Sequence, residues 1–258
     1  MKPWTELCGA PDTLNPPNFF TYHVPWCLFW FGVMAAIDKV LLRPRLNPGA
    51  PWFALHSGMN MLVTGFGLQD IWFILRQPAC AMVAQTQSFV PSHIAVTLHV
   101  YHCVAYTDLR MDDIVHHAAF VLPLGAMQLT MQWGPICNLL MFFITGLPGG
   151  LDYALLVLVK QGKMARLEEK KLNSKIMVWL RMPGLLFFSS IQYVCLRLGF
   201  YRVHPAWIVL CMLLAACNGI FYMAQVHENY HIKRTEGDGS RAQLKIHERV
   251  LGGKSRTT

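Results

Sequence analysis

Charged residues are scarce in this chain. Asp, Glu, Lys and Arg make up 14% of its 258 residues, against about 25% in an ordinary soluble domain. Hydrophobic residues make up 54%. That balance excludes a water-soluble globule and predicts an all-α bundle of membrane-crossing helices. Several motifs are missing too. The chain has no phosphate-cradling Gly loop, no Cys-x-x-Cys pair and no Gly-x-Ser-x-Gly elbow. Residues 1–24 lack a basic stretch followed by a long apolar core, so no cleavable signal peptide is expected. The net charge of +8 does not indicate nucleic acid, because the basic residues cluster in loops and in the tail. Of eight cysteines, Cys27, Cys103, Cys137, Cys195, Cys211 and Cys217 lie in apolar runs without metal-site spacing. They read as buried thiols. A bridge between Cys8 and Cys80 stays open.

About seven spans are expected. The first covers about 25–42 and is short for a span of about 20 residues. The second covers about 52–75 and carries His56, Asn60 and Asp70. The third, about 92–106, holds His93, His99 and His102. The fourth opens with Met111-Asp112-Asp113-Ile114-Val115-His116-His117 and runs to about 131. An acid suits the N-terminus of that helix as cap and as partner of its dipole. Trp133-Gly134-Pro135 ends it. The fifth, about 136–159, contains Gly146-Leu147-Pro148-Gly149-Gly150, which predicts a kink, and then Asp152. Residues 160–175 hold six basic and two acidic residues and read as a solvated loop against anionic headgroups. The sixth span follows to about 198, with Arg181 and Pro183 early in it, and the seventh covers about 206–226. The tail, 227–258, reads as polar and partly disordered.

The excess of Lys and Arg on cytosolic loops sets the orientation. Placing 160–175 in the cytosol puts 39–50 and the tail there as well, and puts the N-terminus and 76–91 in the lumen. Arg197 and Arg202 dissent mildly. In this scheme His56, His102, His116, His117 and His227 lie near the cytosolic ends of their spans. Asp152 lies about 10–12 Å deep at 1.5 Å per residue, and His99 is one turn deeper than His102. A polar cavity open to the cytosol is therefore expected. The plainer alternative is a set of histidines that pack or face headgroups and never meet. Histidine beside an acid suits proton transfer, and histidine can act as the nucleophile in acyl transfer. A metal-dependent lipid hydroxylase is a remote alternative. His99-x-x-His102, His116-His117 and His227-x-x-x-His231 resemble fragments of histidine boxes, but no HxxHH-type box is present and no metal ligand is assigned.

These residues also resemble the TLC domain, shared by ceramide synthases, translocation-associated membrane proteins and lipid-homeostasis proteins. Leu55-His56-Ser57 resembles that family's Ser/His helix start. The Asp-rich turn running into Asp113-Ile114-Val115-His116-His117 resembles its D-x-x-x-H-H signature. Asp152 followed by Lys160 is similar to its acidic segment, and Asn218-Gly219-Ile220-Phe221-Tyr222 to its last helix. The resemblance covers about 50–235. It divides the chain into a lumenal segment, first span and basic loop (1–49), a TLC-like domain (50–235) and a polar basic cytosolic tail (236–258). It implies an endoplasmic reticulum protein whose helices surround a lipid cavity. In the enzymes of the family, the pair matching His116 and His117 takes part in joining an acyl group from acyl-CoA to a sphingoid base. That implies His116, His117 and Asp152 as catalytic, and His56, His102 and Asp113 as substrate-binding. It implies acyl-CoA as co-substrate with no other cofactor, and membrane lipids as partners, with homo- or hetero-oligomers left open. Two departures stand out. The synthases carry more than one acid where this chain has Asp152, and Ser57 follows His56 where the family has its Ser earlier. An N-acyltransferase and a non-catalytic lipid- or cargo-binding protein that adjusts membrane composition both stay open.

Overall fold

The structure is a computed structural model describing residues 4–10, 17–86, 88–106 and 111–253. Side chains are described as far as Glu236, except those of Thr5, Asp112 and Asp113. Among the described residues all regular structure is helical. A short α1 (Trp4–Cys8) precedes α2 (Phe19–Leu42) and α3 (Pro51–Arg76). A single tight turn, Pro78–Cys80, leads to α4 (Val90–Ala105). Helix α5 comprises Met111–His116, His117–Val121 and Leu122–Thr130. Helix α6 is Ile136–Lys160. Helix α7 comprises Arg166–Ile176, Met177–Arg181 and Met182–Leu198, and α8 is Pro205–Gly253.

Three of these, α2, α6 and the Pro205–Glu236 part of α8, are long and apolar enough to cross a membrane. That is fewer than seven, for a physical reason. Helix α4 has only 16 residues, and α3 carries buried His56, Asn60 and Asp70 along its length. These helices turn polar groups inward and depend on their neighbours for cover. The outside of the bundle presents large apolar side chains such as Trp72, Trp179 and Leu213, a surface suited to lipid rather than water.

Local sequence explains the helix ends. Asn18 Oδ1 accepts from the Phe20 and Thr21 amides at 2.9 and 3.1 Å, so α2 starts at Phe19 and not near 25. Its 24 residues make it a full-length helix, correcting the expected short one. Gly199, at φ 71°, ends α7: its amide donates to the Leu196 carbonyl and that of Phe200 to the Cys195 carbonyl. That paired arrangement needs the left-handed residue glycine supplies.

Wide turns, in which an amide bonds the carbonyl five residues back, occur at Phe19–His23, Ile37–Leu42, His117–Val121, Phe142–Gly146 and Met177–Arg181. Each ends two residues before a proline: Pro25, Pro44, Pro123, Pro148 and Pro183. Proline lacks the amide hydrogen and crowds the carbonyl four residues back. One extra residue in the preceding turn relieves both problems without breaking the helix. The kink expected at Gly146–Gly150 is one of these turns.

Two expectations are corrected. Residues 166–176 are the first three turns of α7, not a loop. Glu168 and Glu169 sit in the first turn, which matches the positive end of the helix dipole. Glu169, Asn173 and Ser174 are buried there. The tail is not irregular either, since α8 continues as helix to Gly253 through a stretch with no proline after Pro205.

Contacts at the two ends show that the long helices alternate in direction. At one end, a disulfide joins Cys8 to Cys80 across a Cα–Cα distance of 5.6 Å, so the bridge left open by the sequence is formed. Nearby, Arg202 Nε donates to the Val83 carbonyl at 2.9 Å. At the other end, Asn47 Nδ2 donates to the Lys160 carbonyl at 3.3 Å. There, fully buried Asp38 accepts from Tyr101 Oη at 2.7 Å, Tyr106 Oη at 2.8 Å and Arg43 Nε at 2.9 Å. This carboxylate ties α2 to the end of α4. Helix α3 is central, packing against α2, α4 and α6, while α7 and α8 pair along their lengths.

Candidate functional site

Helix periodicity gathers polar residues on inward faces. Trp52, His56 and Asn60 lie one turn apart on α3, and His99 and His102 one turn apart on α4. Helix α5 adds His116 and His117, α6 adds Asp152 and Tyr153, α7 adds Arg181, and α8 adds Asn218 and Tyr222. All of these except Trp52 line one cavity of about 230 Å³. The wide turns aim three of the helices. His117 opens the one in α5, Arg181 closes the one in α7, and Asp152 follows the one in α6. Each extra residue rotates the helix face beyond it.

Five histidines form a connected set. Ring centroids are 5.4 Å apart for His99–His117 and His102–His117, and 5.5 Å for His99–His116 and His116–His117. His56 is 6.1 Å from His99 and 6.2 Å from His102. Aromatic rings hold the edges: Tyr153 stacks on His56 at 4.3 Å, and Trp52 meets His56 at 3.8 Å and His102 at 4.1 Å. His99 Nδ1 lies 2.7 Å from the Ala95 carbonyl. A carbonyl can only accept, so Nδ1 carries a proton, and in the neutral ring Nε2 keeps its lone pair.

The lining also holds buried polar atoms that no protein atom satisfies. They are both ring nitrogens of His56, Asn60 Nδ2, His116 Nδ1, Gln128 Nε2, Asp152 Oδ1, Arg181 Nε and Asn218 Nδ2. A buried donor or acceptor without a partner costs about 1–3 kcal/mol. Their concentration around one cavity fits a site completed by a polar group.

An apolar groove of about 630 Å³ adjoins this cavity between α4 and α5. Val100, Val104, Ile114, Ala118 and Leu122 are among its walls. Val96, His99, His117, Val121 and Gly125 line both spaces. His99 and His117 therefore stand where polar cavity meets apolar groove, an arrangement matched to an amphiphile.

Of the residues singled out in the sequence, His56, His102, His116, His117 and Asp152 are brought together here. The Asp113 side chain lies outside the described residues. His227 is elsewhere, bonded to Ser174 Oγ at 3.1 Å and His231 Nε2 at 3.0 Å. His93 is also elsewhere, bonded to His23 at 2.9 Å. Tyr153 was missed altogether. Arg181 was read only as an early charge in its span, although a lone Arg inside an apolar stretch is itself a functional signal. Among the described residues, no group of three or more His, Cys, Asp or Glu side chains is arranged to hold a metal ion. No protein-family model, curated protein or solved structure matches this chain.

Proposed function

We propose that the chain is a multi-pass membrane protein of the TLC type that transfers an acyl group to a lipid amine in the histidine cavity. The observation that carries this is the position of His99 and His117 at the meeting of a polar cavity and an apolar groove. Seven crossings are consistent with the alternating long helices, each shorter one covered by its neighbours. The Cys8–Cys80 disulfide supports the orientation. Disulfides persist on the oxidising side of a membrane, which supports a lumenal position for that end and a cytosolic one for the Lys160 end. This agrees with the basic loops and suits an endoplasmic reticulum protein.

The chemistry needs an uncharged amine, a thioester and a base. The amine nitrogen attacks the thioester carbonyl carbon, forming C–N, and the C–S bond breaks. An imidazole takes the proton from nitrogen and returns it to the departing sulfur, leaving an amide and a thiol. His99 Nε2, with its lone pair held available, is the candidate base, and His116 and His117 complete the proton path. Asp152 supplies the cavity's carboxylate for orientation. Arg181 favours the uncharged form of a nearby amine, since like charges repel. The test is an assay of purified protein in nanodiscs with labelled acyl-CoA and a sphingoid base. An amide-linked lipid is expected, and it is lost in His117→Ala at unchanged protein level. If wild type forms no amide, catalysis is wrong. A non-catalytic lipid-binding role, favoured by Asp152 being the one carboxylate among the described lining residues, then takes its place.

A further inference from the structure

The cavity contains a cation, Arg181, on which no carboxylate among the described residues closes as an ion pair. Arg181 Nη2 donates to Asn218 Oδ1 at 2.7 Å, and Nη1 has only the Met177 sulfur at 3.8 Å. One face of the guanidinium is covered by the Tyr222 ring, 4.9 Å from its centroid. Nε is buried with no partner. Among the described residues, none forms an ion pair with Arg181. A guanidinium offers five N–H donors in a planar fork suited to carboxylate and phosphate oxygens. Leaving it largely unmatched away from water is costly unless an anion completes it. Asp152 shares the cavity without closing on Arg181, and the remaining titratable lining groups are histidines and tyrosines.

We infer that Arg181 is an anion-binding element and that the cavity takes a single-chain amphiphile with an acidic head, a carboxylate or a phosphate. This rests on the reading that a lipid occupies the cavity, but not on catalysis. Two further observations bear on the ligand. The Tyr222 ring meets both Arg181, 4.9 Å from its centroid, and His116, whose ring centroid is 5.4 Å away, so Arg181 and His116 flank one ring of the cavity. His99 and His117 belong to the wall common to this cavity and the α4–α5 groove, and a chain leaving that point reaches the groove beside them. Gly125 and Val96 pack directly on one another in the same wall, since a Cβ on Gly125 would stand 2.9 Å from Val96 Cγ2. A carboxylate resembles the charged oxygen that develops during acyl transfer, so the same subsite would stabilise that oxygen.

The test holds the chain constant and varies the head. Binding of laurate, dodecyl phosphate, dodecanol and dodecylamine to purified full-length protein is measured by native mass spectrometry at pH 7.5, with acetate and inorganic phosphate as head-only controls. Wild type is expected to bind at least one of the two acids at least tenfold tighter than dodecanol, with dodecylamine weakest and the controls undetectable. The tighter acid identifies carboxylate or phosphate as the head. Arg181→Gln should lose at least tenfold for the acids and less than twofold for dodecanol. Asp152→Asn, by removing a competing negative charge, should tighten the acids. If Arg181→Gln does not fold, the wild-type series and Asp152→Asn decide the question. Dodecanol binding as tightly as the acids overturns the inference and leaves a lipid cavity standing. Inorganic phosphate binding as tightly as dodecyl phosphate overturns the amphiphile. Failure of every dodecyl compound to bind overturns the lipid cavity itself.

Discussion

His99→Phe is expected to lower acyl transfer by about 10²–10⁴-fold, the range supplied by a positioned acid–base group, while protein level and melting point stay close to wild type. Phenylalanine keeps a ring between His116 and His117, whose centroids lie 5.5 and 5.4 Å away. It lacks the Nε2 lone pair and the Nδ1 hydrogen that the Ala95 carbonyl accepts. His99→Asn gives a useful contrast, since its amide can still donate to a carbonyl but supplies no comparable base. Activity in His99→Phe within twofold of wild type would remove His99 from the chemistry and move the proton transfer to His116 or His117.

Asp38→Ala is expected to produce the largest loss of stability. Arg43 contributes little to that loss, because its side chain is 45% exposed and an exposed ion pair is worth at most about 1 kcal/mol. The two tyrosines matter more. Tyr101 is 2% exposed and donates to Asp38, and Tyr106 donates to the other carboxylate oxygen. Hydrogen bonds to a charged acceptor contribute about 1.5–3 kcal/mol each, so about 3–6 kcal/mol should go with the two of them. That corresponds to a fall of about 10 °C in the melting midpoint for a chain of this size. Asp38→Asn, which keeps an oxygen for one tyrosine, should fall about half as far. A melting point within two degrees of wild type for Asp38→Ala, measured in the same detergent, would contradict the role given to this network.

The depth of each histidine was legible in the sequence, because loop charge sets topology and 1.5 Å per residue sets depth. That was enough to bring His56, His102, His116, His117 and Asp152 to one level. Depth says nothing of direction around a helix axis. The wide turns before Pro148 and Pro183 reset that direction, which is why Tyr153 and Arg181 could not be assigned to the cavity beforehand. Those turns do leave a signal in the prolines that follow them. The charged run 166–176 was misread for a different reason. Its charges suggested solvent, yet Glu169 faces inward and is fully buried. The α4–α5 groove leaves no trace at all, since Val100, Val104 and Leu122 look the same whether they face bulk lipid or one bound chain.

Photo-crosslinking tests the central claim, a lipid chain held in the groove with its head in the histidine cavity. Membranes containing the protein are loaded with a fatty acid bearing a diazirine on its chain, irradiated, and the adducts mapped by mass spectrometry. Adducts are expected on α4 and α5, at groove residues such as Val100, Val104, Val121 and Leu122, and should be suppressed by excess unlabelled fatty acid. The side chains of Trp72 and Trp179, 58% and 79% exposed on the outer surface, should carry only a background that the competitor does not reduce. Adducts spread over the outer surface in proportion to exposure, with none in the groove that the competitor suppresses, would contradict the account.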